Sequence, residues 1–302
     1  MLIEPIKPML ASPPKAERVE QLAGTYWFDL KLDGLRAVAY WDGQTLTLLN
    51  RSMRDITSSF PDLEASFPDL LPCILDGEIV AQSGSFQDVA RRGKQTKPAD
   101  VARHVVTHPV TFVAFDVLNI DGADLRNHPY FDRRMMLDGI AVLFPDNPYW
   151  TTSVVSPDPG YFDIVKAAGM EGVIAKRLRS TYKSGRFSDW IKFKTVRSIT
   201  CIGVGYEPGE GARAHFGAMF LALLNDAGEP VNVGRVGTGF TASEITMLKE
   251  TMDAGVPVLV EIECLNVTKD GSLRFPVYKG MRGSELSLAD ARLSQLDEIP
   301  RC

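Results

Sequence analysis

The chain has 302 residues, 45% hydrophobic and 24% charged, with 38 acidic side chains against 33 Lys and Arg and a formal net charge of −5. That is ordinary globular composition, long enough for about two domains, and it excludes a fibrous or disordered chain. The acid excess excludes a uniformly basic nucleic-acid coat and leaves room for a local basic face. Cys73, Cys201, Cys264 and Cys302 are scattered without metal-ligand spacing, as expected of buried small residues in a reducing, cytoplasmic compartment. Glu4 and several prolines near the start do not read as a signal peptide, and no apolar run is long enough to span a membrane.

Residues 5–11, Pro-Ile-Lys-Pro-Met-Leu-Ala, form a proline-rich lead-in, and a short helix is expected after them with Pro14 in its first turn and Gly24 at its end. Residues 25–50 read as paired strands joined by Asp42-Gly43. Within them stands Phe28-Asp29-Leu30-Lys31-Leu32-Asp33-Gly34-Leu35-Arg36. Alternation before Lys31 predicts a half-buried strand, and Asp33-Gly34 a tight turn. Lys31 then sits at the mouth of a turn between two strands, beside an acid and a second cation. Taken alone, the stretch fits a solvated hairpin as well as a site.

Further strands are predicted at 72–81, ending in Asp76-Gly77-Glu78, and at 110–118. Between them, Arg91, Arg92, Lys94 and Lys97 mark either a DNA-facing loop or helix or a solvated face. A helix at 161–168 closes at Gly169, and strands follow at 172–177 and 189–196. A second unit starts near Val196. Strands are expected at 199–206, 217–225, 231–236, 256–268 and 273–278, with one helix between the third and fourth opened by the capping box Thr241-Ala-Ser-Glu244 and stopped at Gly255. Three strands, a helix and two strands is the order of an OB-fold barrel, a common nucleic-acid platform.

The stretch around Lys31 resembles the nucleotidyl-lysine motif of ATP-dependent DNA ligases and their relatives, the RNA ligases and mRNA capping enzymes. Matches follow in the family's order at Arg51, Leu75-Asp76-Gly77-Glu78, Ala114-Phe115-Asp116, Glu171-Gly172-Val173-Ile174-Ala175-Lys176 and Trp190-Ile191-Lys192-Phe193-Lys194. Together they cover nearly the whole chain. The resemblance is strongest to bacterial repair ligases, including the ligase module of the end-joining polyprotein and its stand-alone relatives. It implies an α+β nucleotidyltransferase domain with antiparallel sheets and helices over 1–195 and a C-terminal OB-fold β-barrel over 196–302. It implies the catalytic core alone, acting as a monomer on nicked duplex DNA in repair or replication, with ATP as co-substrate and Mg²⁺ or Mn²⁺.

At neutral pH only about one free lysine in a thousand is the nucleophilic amine. A lysine nucleophile therefore needs neighbouring cations, a metal ion or burial. Lys192 and Lys194 alternate on one strand face with Ile191 and Phe193 on the other, and Arg36 lies five residues after Lys31. These three cations could hold the α-phosphate and pyrophosphate, while Glu78 and Glu171 could hold the metal. By resemblance, Asp29 contacts the adenine amino group beside Leu30, Phe115 stacks on the base, Val173 or Ile174 covers its other face, and Arg51 contacts the ribose. Arg274 and Arg282 match two arginines of the family's last motif, which orients pyrophosphate during self-adenylylation. Ser284 and Glu285 replace that motif's Asp-Lys pair, which bears on the efficiency of this first step. The rivals are an RNA ligase, a capping guanylyltransferase, and an inactive module that only binds nicked DNA.

Overall fold

The structure, a computed structural model, describes residues 4–67, 70–143, 147–209, 215–282 and 287–299. The chain divides into two compact units, Met1–Phe193 and Lys194–Cys302.

The first unit opens with β1 (Met9–Ser12), β2 (Tyr26–Leu30), β3 (Leu35–Trp41), β4 (Leu46–Asn50) and β5 (Cys73–Ala81). Helices α1 (Phe86–Arg92) and α2 (Pro98–Thr107) lead to β6 (Val110–Ile120), the short β7 (Ala123–Asp124) and α3 (Tyr130–Val142). The unit closes with β8 (Trp150–Thr152), β9 (Val155–Ser156), α4 (Tyr161–Ala167), β10 (Gly172–Arg177) and β11 (Gly185–Lys194). The strands form two sheets. One has the order β1-β11-β10-β2-β9; the other has β4-β3-β5-β6-β7, with β8 added on β6.

Period-two alternation decides which side chains share a layer. Trp190 and, partly buried, Ile174 join Val38, Tyr40, Phe115 and Leu118 in an apolar layer contributed by both sheets. The residues next along the same strands, Val173, Ala175, Ile191 and Phe193, face the other way with Phe28 and Val165 of α4. The outer face of the second sheet packs through Ala37, Ala39, Leu75 and Phe112 against Val89 of α1 and Leu137 of α3.

Several expectations are revised. The segment before Gly24 holds only one 3₁₀ turn, Val19–Leu22, with Gly24 at φ +70° behind it. The lead-in is itself a strand, pairing in parallel with β11 from Met9 opposite Gly185. The strands flanking Lys31 are no hairpin: β2 pairs with β10 and β9, whereas β3 pairs with β4 and β5. The basic stretch 91–97 forms the end of α1 and the turn into α2. Helix α3 has no counterpart among the expected elements. Cys73, Cys201 and Cys264 are buried and free, while Cys302 lies outside the described residues.

In the second unit β12 (Arg197–Glu207), β13 (Ala218–Leu224) and β14 (Pro230–Val236) precede α5 (Ala242–Asp253). Thr241 caps that helix, exchanging hydrogen bonds with Glu244. Then come β15 (Val258–Cys264), β16 (Asn266–Val267), β17 (Leu273–Arg274) and β18 (Val277–Met281). The main sheet runs β14-β13-β12-β15-β18, with β16 and β17 paired apart from it. The strand expected over 256–268 is therefore interrupted at Leu265. The one expected over 273–278 breaks at Phe275, whose φ is +51°, and at Pro276, which has no N–H for a ladder. Ser284 and Glu285 lie outside the described residues.

Candidate active site

Lys31 stands where the chain leaves one sheet for the other. Its backbone N–H donates to the Gly172 carbonyl at 2.8 Å, and its ammonium donates to Glu171 Oε2 at 2.5 Å. The crossing requires glycine at 34. A Cβ there would lie 2.3 Å from the Ile79 carbonyl oxygen and 2.8 Å from Glu78 Cγ. Gly34 thus lets the lysine loop lie directly on β5.

A cavity of about 210 Å³ opens beside Lys31. Arg36, Arg51 and Lys192 bring cations to its lining, Glu78 an acid, and Phe115, Ile174 and Trp190 an apolar wall. Asp29 and Leu30 complete the sequence-predicted residues found there. Val173, the alternative to Ile174, is buried on the opposite face of β10. Lys194 is not part of the lining; its ammonium lies 5.2 Å from the Phe275 ring centre. Arg274 and Arg282 belong to the second unit, the first buried in β17, the second half-buried and 3.4 Å from Glu261.

The charges inside are strongly tied. Arg36 makes a bidentate pair with Asp76, at 2.7 and 2.6 Å, and donates to the Met9 carbonyl. Tyr182 donates to the same carboxylate at 2.6 Å. The Arg36 guanidinium lies 4.4 Å from the centre of the Phe115 ring. Burial alone would lower it; the Asp76 carboxylate outweighs that and raises it, so Arg36 is a fixed cation. Glu78 is the reverse case. Burial pushes its carboxyl up to about 7, against the pull of Arg36 and Lys31.

Asp29 is buried at the base of the cavity. Its Oδ1 accepts from Ser153 Oγ at 2.9 Å and Arg134 Nη1 at 3.3 Å. Its Oδ2 accepts from the Tyr130 hydroxyl at 3.1 Å and pairs with Lys176. Lys176 also donates to the Phe115 carbonyl at 2.9 Å and lies 4.4 Å from the ring centres of both Phe115 and Trp190. Burial draws its ammonium below the ordinary lysine value despite Asp29. An adenine amino group reaching Asp29 would displace a donor already in place.

Lys176, Trp190 and Arg186 line the cavity without a role assigned to them from the sequence. The first two were within reach, because Lys176 shares its strand face with Ile174 and Trp190 shares one with Lys192. Arg134, Tyr130 and Ser153 come from α3 and the segment after β8, and no local signal marks them.

Among the described residues, no group of three or more His, Cys, Asp or Glu could hold a metal ion by itself. Mg²⁺ needs less, taking one or two carboxylates together with substrate phosphates and water. Glu171 at Lys31 and the lining Glu78 fit that demand.

Comparison with known proteins gives the family. The model of the family described as the ATP dependent DNA ligase domain matches residues 8–194. The chain is 33% identical to the multifunctional non-homologous end joining protein LigD of Mycolicibacterium smegmatis, over 92% of this chain and 38% of that protein. It is 31% identical to a DNA ligase of Thermococcus onnurineus, over 92% of this chain and 56% of that one. It therefore spans about half the length of such curated relatives, or less. The solved ligase domain of M. tuberculosis LigD is 28% identical, with a TM-score of 0.55 over 95% of this chain and 97% of that domain.

Proposed function

The chain belongs to the ATP-dependent DNA ligase family, and from that premise we propose that it seals nicks in duplex DNA through a lysyl-AMP on Lys31 and a DNA-adenylate. One observation supports this above the rest: a lysine amine at a cavity that joins an apolar wall to a ring of cations and an acid. Phe115, Ile174 and Trp190 suit a purine ring; Arg51, Arg36 and Lys192 suit a ribose and phosphates.

The Lys31 ammonium must first lose a proton, and Glu171 is the carboxylate hydrogen-bonded to it. The amine then attacks the α-phosphorus of ATP, a nitrogen–phosphorus bond forms, and the bond to the pyrophosphate oxygen breaks. Next, a 5′-phosphate oxygen at the nick takes the adenylyl group and the lysine is released. Finally the 3′-hydroxyl attacks that 5′-phosphorus and AMP leaves. Phosphoryl chemistry of this kind needs in-line positioning and charge neutralisation more than covalent help. Mg²⁺, or Mn²⁺, held by Glu78 and Glu171 would supply part of that neutralisation when bound. Asp76 and Tyr182 hold Arg36 in place, and Asp29 holds Lys176 beneath the base.

We read the second unit as an OB-fold, supported by three strands, a helix and two further strands in its main sheet. Its Arg274 and Arg282 are assigned to the departing pyrophosphate.

The test is self-labelling. Protein incubated with Mg²⁺ and ATP labelled at the α-phosphate should carry a covalent label on a denaturing gel, absent from Lys31→Ala and absent with GTP. A GTP-only label would move the reading to a capping enzyme. Absence of label, in protein shown by intact mass not to be adenylylated already, would leave a binding module. Sealing of a DNA nick but not an RNA nick by the labelled protein sets the RNA ligase aside.

A further inference from the structure

Three glycines stand close together in the second unit, in Val233-Gly234-Arg235-Val236-Gly237-Thr238-Gly239-Phe240. Two of them lie against the segment that carries Arg274 and Arg282. Gly239 has φ +102°, and a Cβ there would sit 2.1 Å from the Tyr278 carbonyl oxygen and 2.9 Å from the Tyr278 nitrogen. No side chain fits that gap. Gly234, at φ +114°, backs onto Leu273, whose nitrogen would lie 3.7 Å from a Cβ. The third, Gly237, faces the Gly217 carbonyl instead.

β18 is held twice at Tyr278. It pairs with β15, Tyr278 standing opposite Ile262, and the Tyr278 N–H donates to the Thr238 carbonyl at 3.0 Å. Phe240 lies on the Tyr278 ring, the centres 4.4 Å apart and the planes 23° from parallel, and meets Phe216 edge-on at 5.3 Å. Between Leu273 and Tyr278 the chain leaves the ladder, with Phe275 exposed at φ +51°. A bulky side chain keeps left-handed backbone only where its surroundings over-determine it. The two glycine contacts do this, one on each side of Phe275.

We propose that the glycine run is a cradle that positions Arg274 and Arg282 for the departure of pyrophosphate, with Gly239 as its main positioning residue. The proposal rests on the ligase reading. In the first step the Lys31 amine bonds to the α-phosphorus of ATP as the bond to the pyrophosphate oxygen breaks. The charge that develops on the leaving oxygen is best met by cations already in place. Arg274 follows Leu273 directly and Arg282 lies four residues past Tyr278, so the two clamps set the backbone from which both arginines project. Gly239 has no side chain to touch a phosphate and acts through the Tyr278 backbone. The later steps release no pyrophosphate, so the cradle bears on the first step.

The experiment compares Gly239→Ala, Phe240→Leu and Gly228→Ala with wild type. Gly228 has φ +78°, but a Cβ there meets nothing within 4 Å, so its variant carries backbone strain without a clash. Two rates are measured for each: self-labelling by ATP, and sealing of a nick supplied already adenylylated. Gly239→Ala should label about 100-fold more slowly, as a displacement near 1 Å commonly costs. The ATP concentration giving half the maximal rate should not change, and the adenylylated nick should be sealed as by wild type. Release of the label by added pyrophosphate, the same step reversed, should slow by the same factor. Phe240→Leu removes the ring stack without adding a Cβ and should label about two- to tenfold more slowly, again with sealing kept. Gly228→Ala should match wild type in both. Labelling by Gly239→Ala at the wild-type rate overturns the proposal, and so does a Gly228→Ala that labels as slowly as Gly239→Ala. If Gly239→Ala loses both activities, Phe240→Leu decides alone, and equal loss of labelling and sealing there overturns the proposal. A wild type that fails to label strikes the ligase reading, whereas an active wild type beside an equally active Gly239→Ala strikes the cradle only.

Discussion

Replacing Glu78 with glutamine should make the first unit more stable and the enzyme inactive. Burial sets the carboxyl at about 7 against an ordinary value of 4.5. At about 1.4 kcal/mol per tenfold in proton affinity, the ionised carboxylate costs the folded state about 3 kcal/mol. The sign follows from which state holds the proton more tightly. Here the folded state does, so the stability Glu78 contributes is fully present below 4.5 and is lost as pH rises through about 7. Glutamine has nothing to ionise. In metal-free buffer at pH 8, Glu78→Gln should therefore unfold at about 1 M higher urea than wild type, for a slope of about 1–3 kcal/mol per molar. At pH 5 the gap should shrink below about 1 kcal/mol. Tryptophan fluorescence is a suitable probe, because Trp27, Trp41, Trp150 and Trp190 all lie in the first unit. A variant no more stable than wild type at pH 8, or a gap equal at both pH values, would refute the account of a carboxylate kept at a cost for use with the substrate. Self-labelling should fall at least 100-fold in the same variant.

Two further substitutions test the geometry around the lysine. Gly34→Ala places a Cβ against the Ile79 carbonyl and must lift the lysine loop off β5; self-labelling should fall about 100-fold, as a shift near 1 Å commonly costs, while circular dichroism reports an intact fold. Asp29→Asn strands Lys176 and Arg134 without their buried carboxylate; the fluorescence transition should drop by about 3–5 kcal/mol, and adding Lys176→Met should recover part of that loss. Equal stability of Asp29→Asn and wild type would mean that the buried pairs contribute nothing to the folded state.

Much of the frame was legible, for local reasons. Period-two alternation in Trp190-Ile191-Lys192-Phe193 is enforced by apolar layers on both faces of the sheet, so the sequence alone separates the cavity side from the core side. The strand 172–177 and the Thr241–Glu244 cap were equally plain, because a glycine or a capping side chain marks each end. The two-sheet arrangement was hidden. Tyr26–Leu30 and Leu35–Trp41 are separated by four residues, the spacing of a hairpin, and nothing between them states that the first pairs with β10, some 145 residues downstream, and the second with β5, some 40 downstream. Helix α3 was missed because its inner face is polar: Arg133 and Arg134 are buried there as counterions to Asp116 and Asp29. A search for an apolar stripe passes over such a helix.

That polar face changes how the site is understood. Neighbouring positions in a motif invite the view that each side chain touches the ligand. Asp29 and Lys31 are two residues apart, yet Asp29 is saturated by four donors while the Lys31 ammonium, at the cavity, is hydrogen-bonded to the Glu171 carboxylate. The same division recurs for Asp76 and Glu78, the first buried under Arg36 and Tyr182, the second lining the cavity with a carboxyl near neutral. In both pairs the inner acid fixes cations and the outer position faces the cavity. A buried charge is tolerable only when its partners are complete, so the inner acids are committed to the protein. On the proposed reading, the exchange of a proton, a metal or a phosphate falls to Lys31, Glu78 and Glu171. Substitution of an inner acid should therefore cost stability before chemistry, whereas substitution of an outer residue should cost chemistry without costing stability.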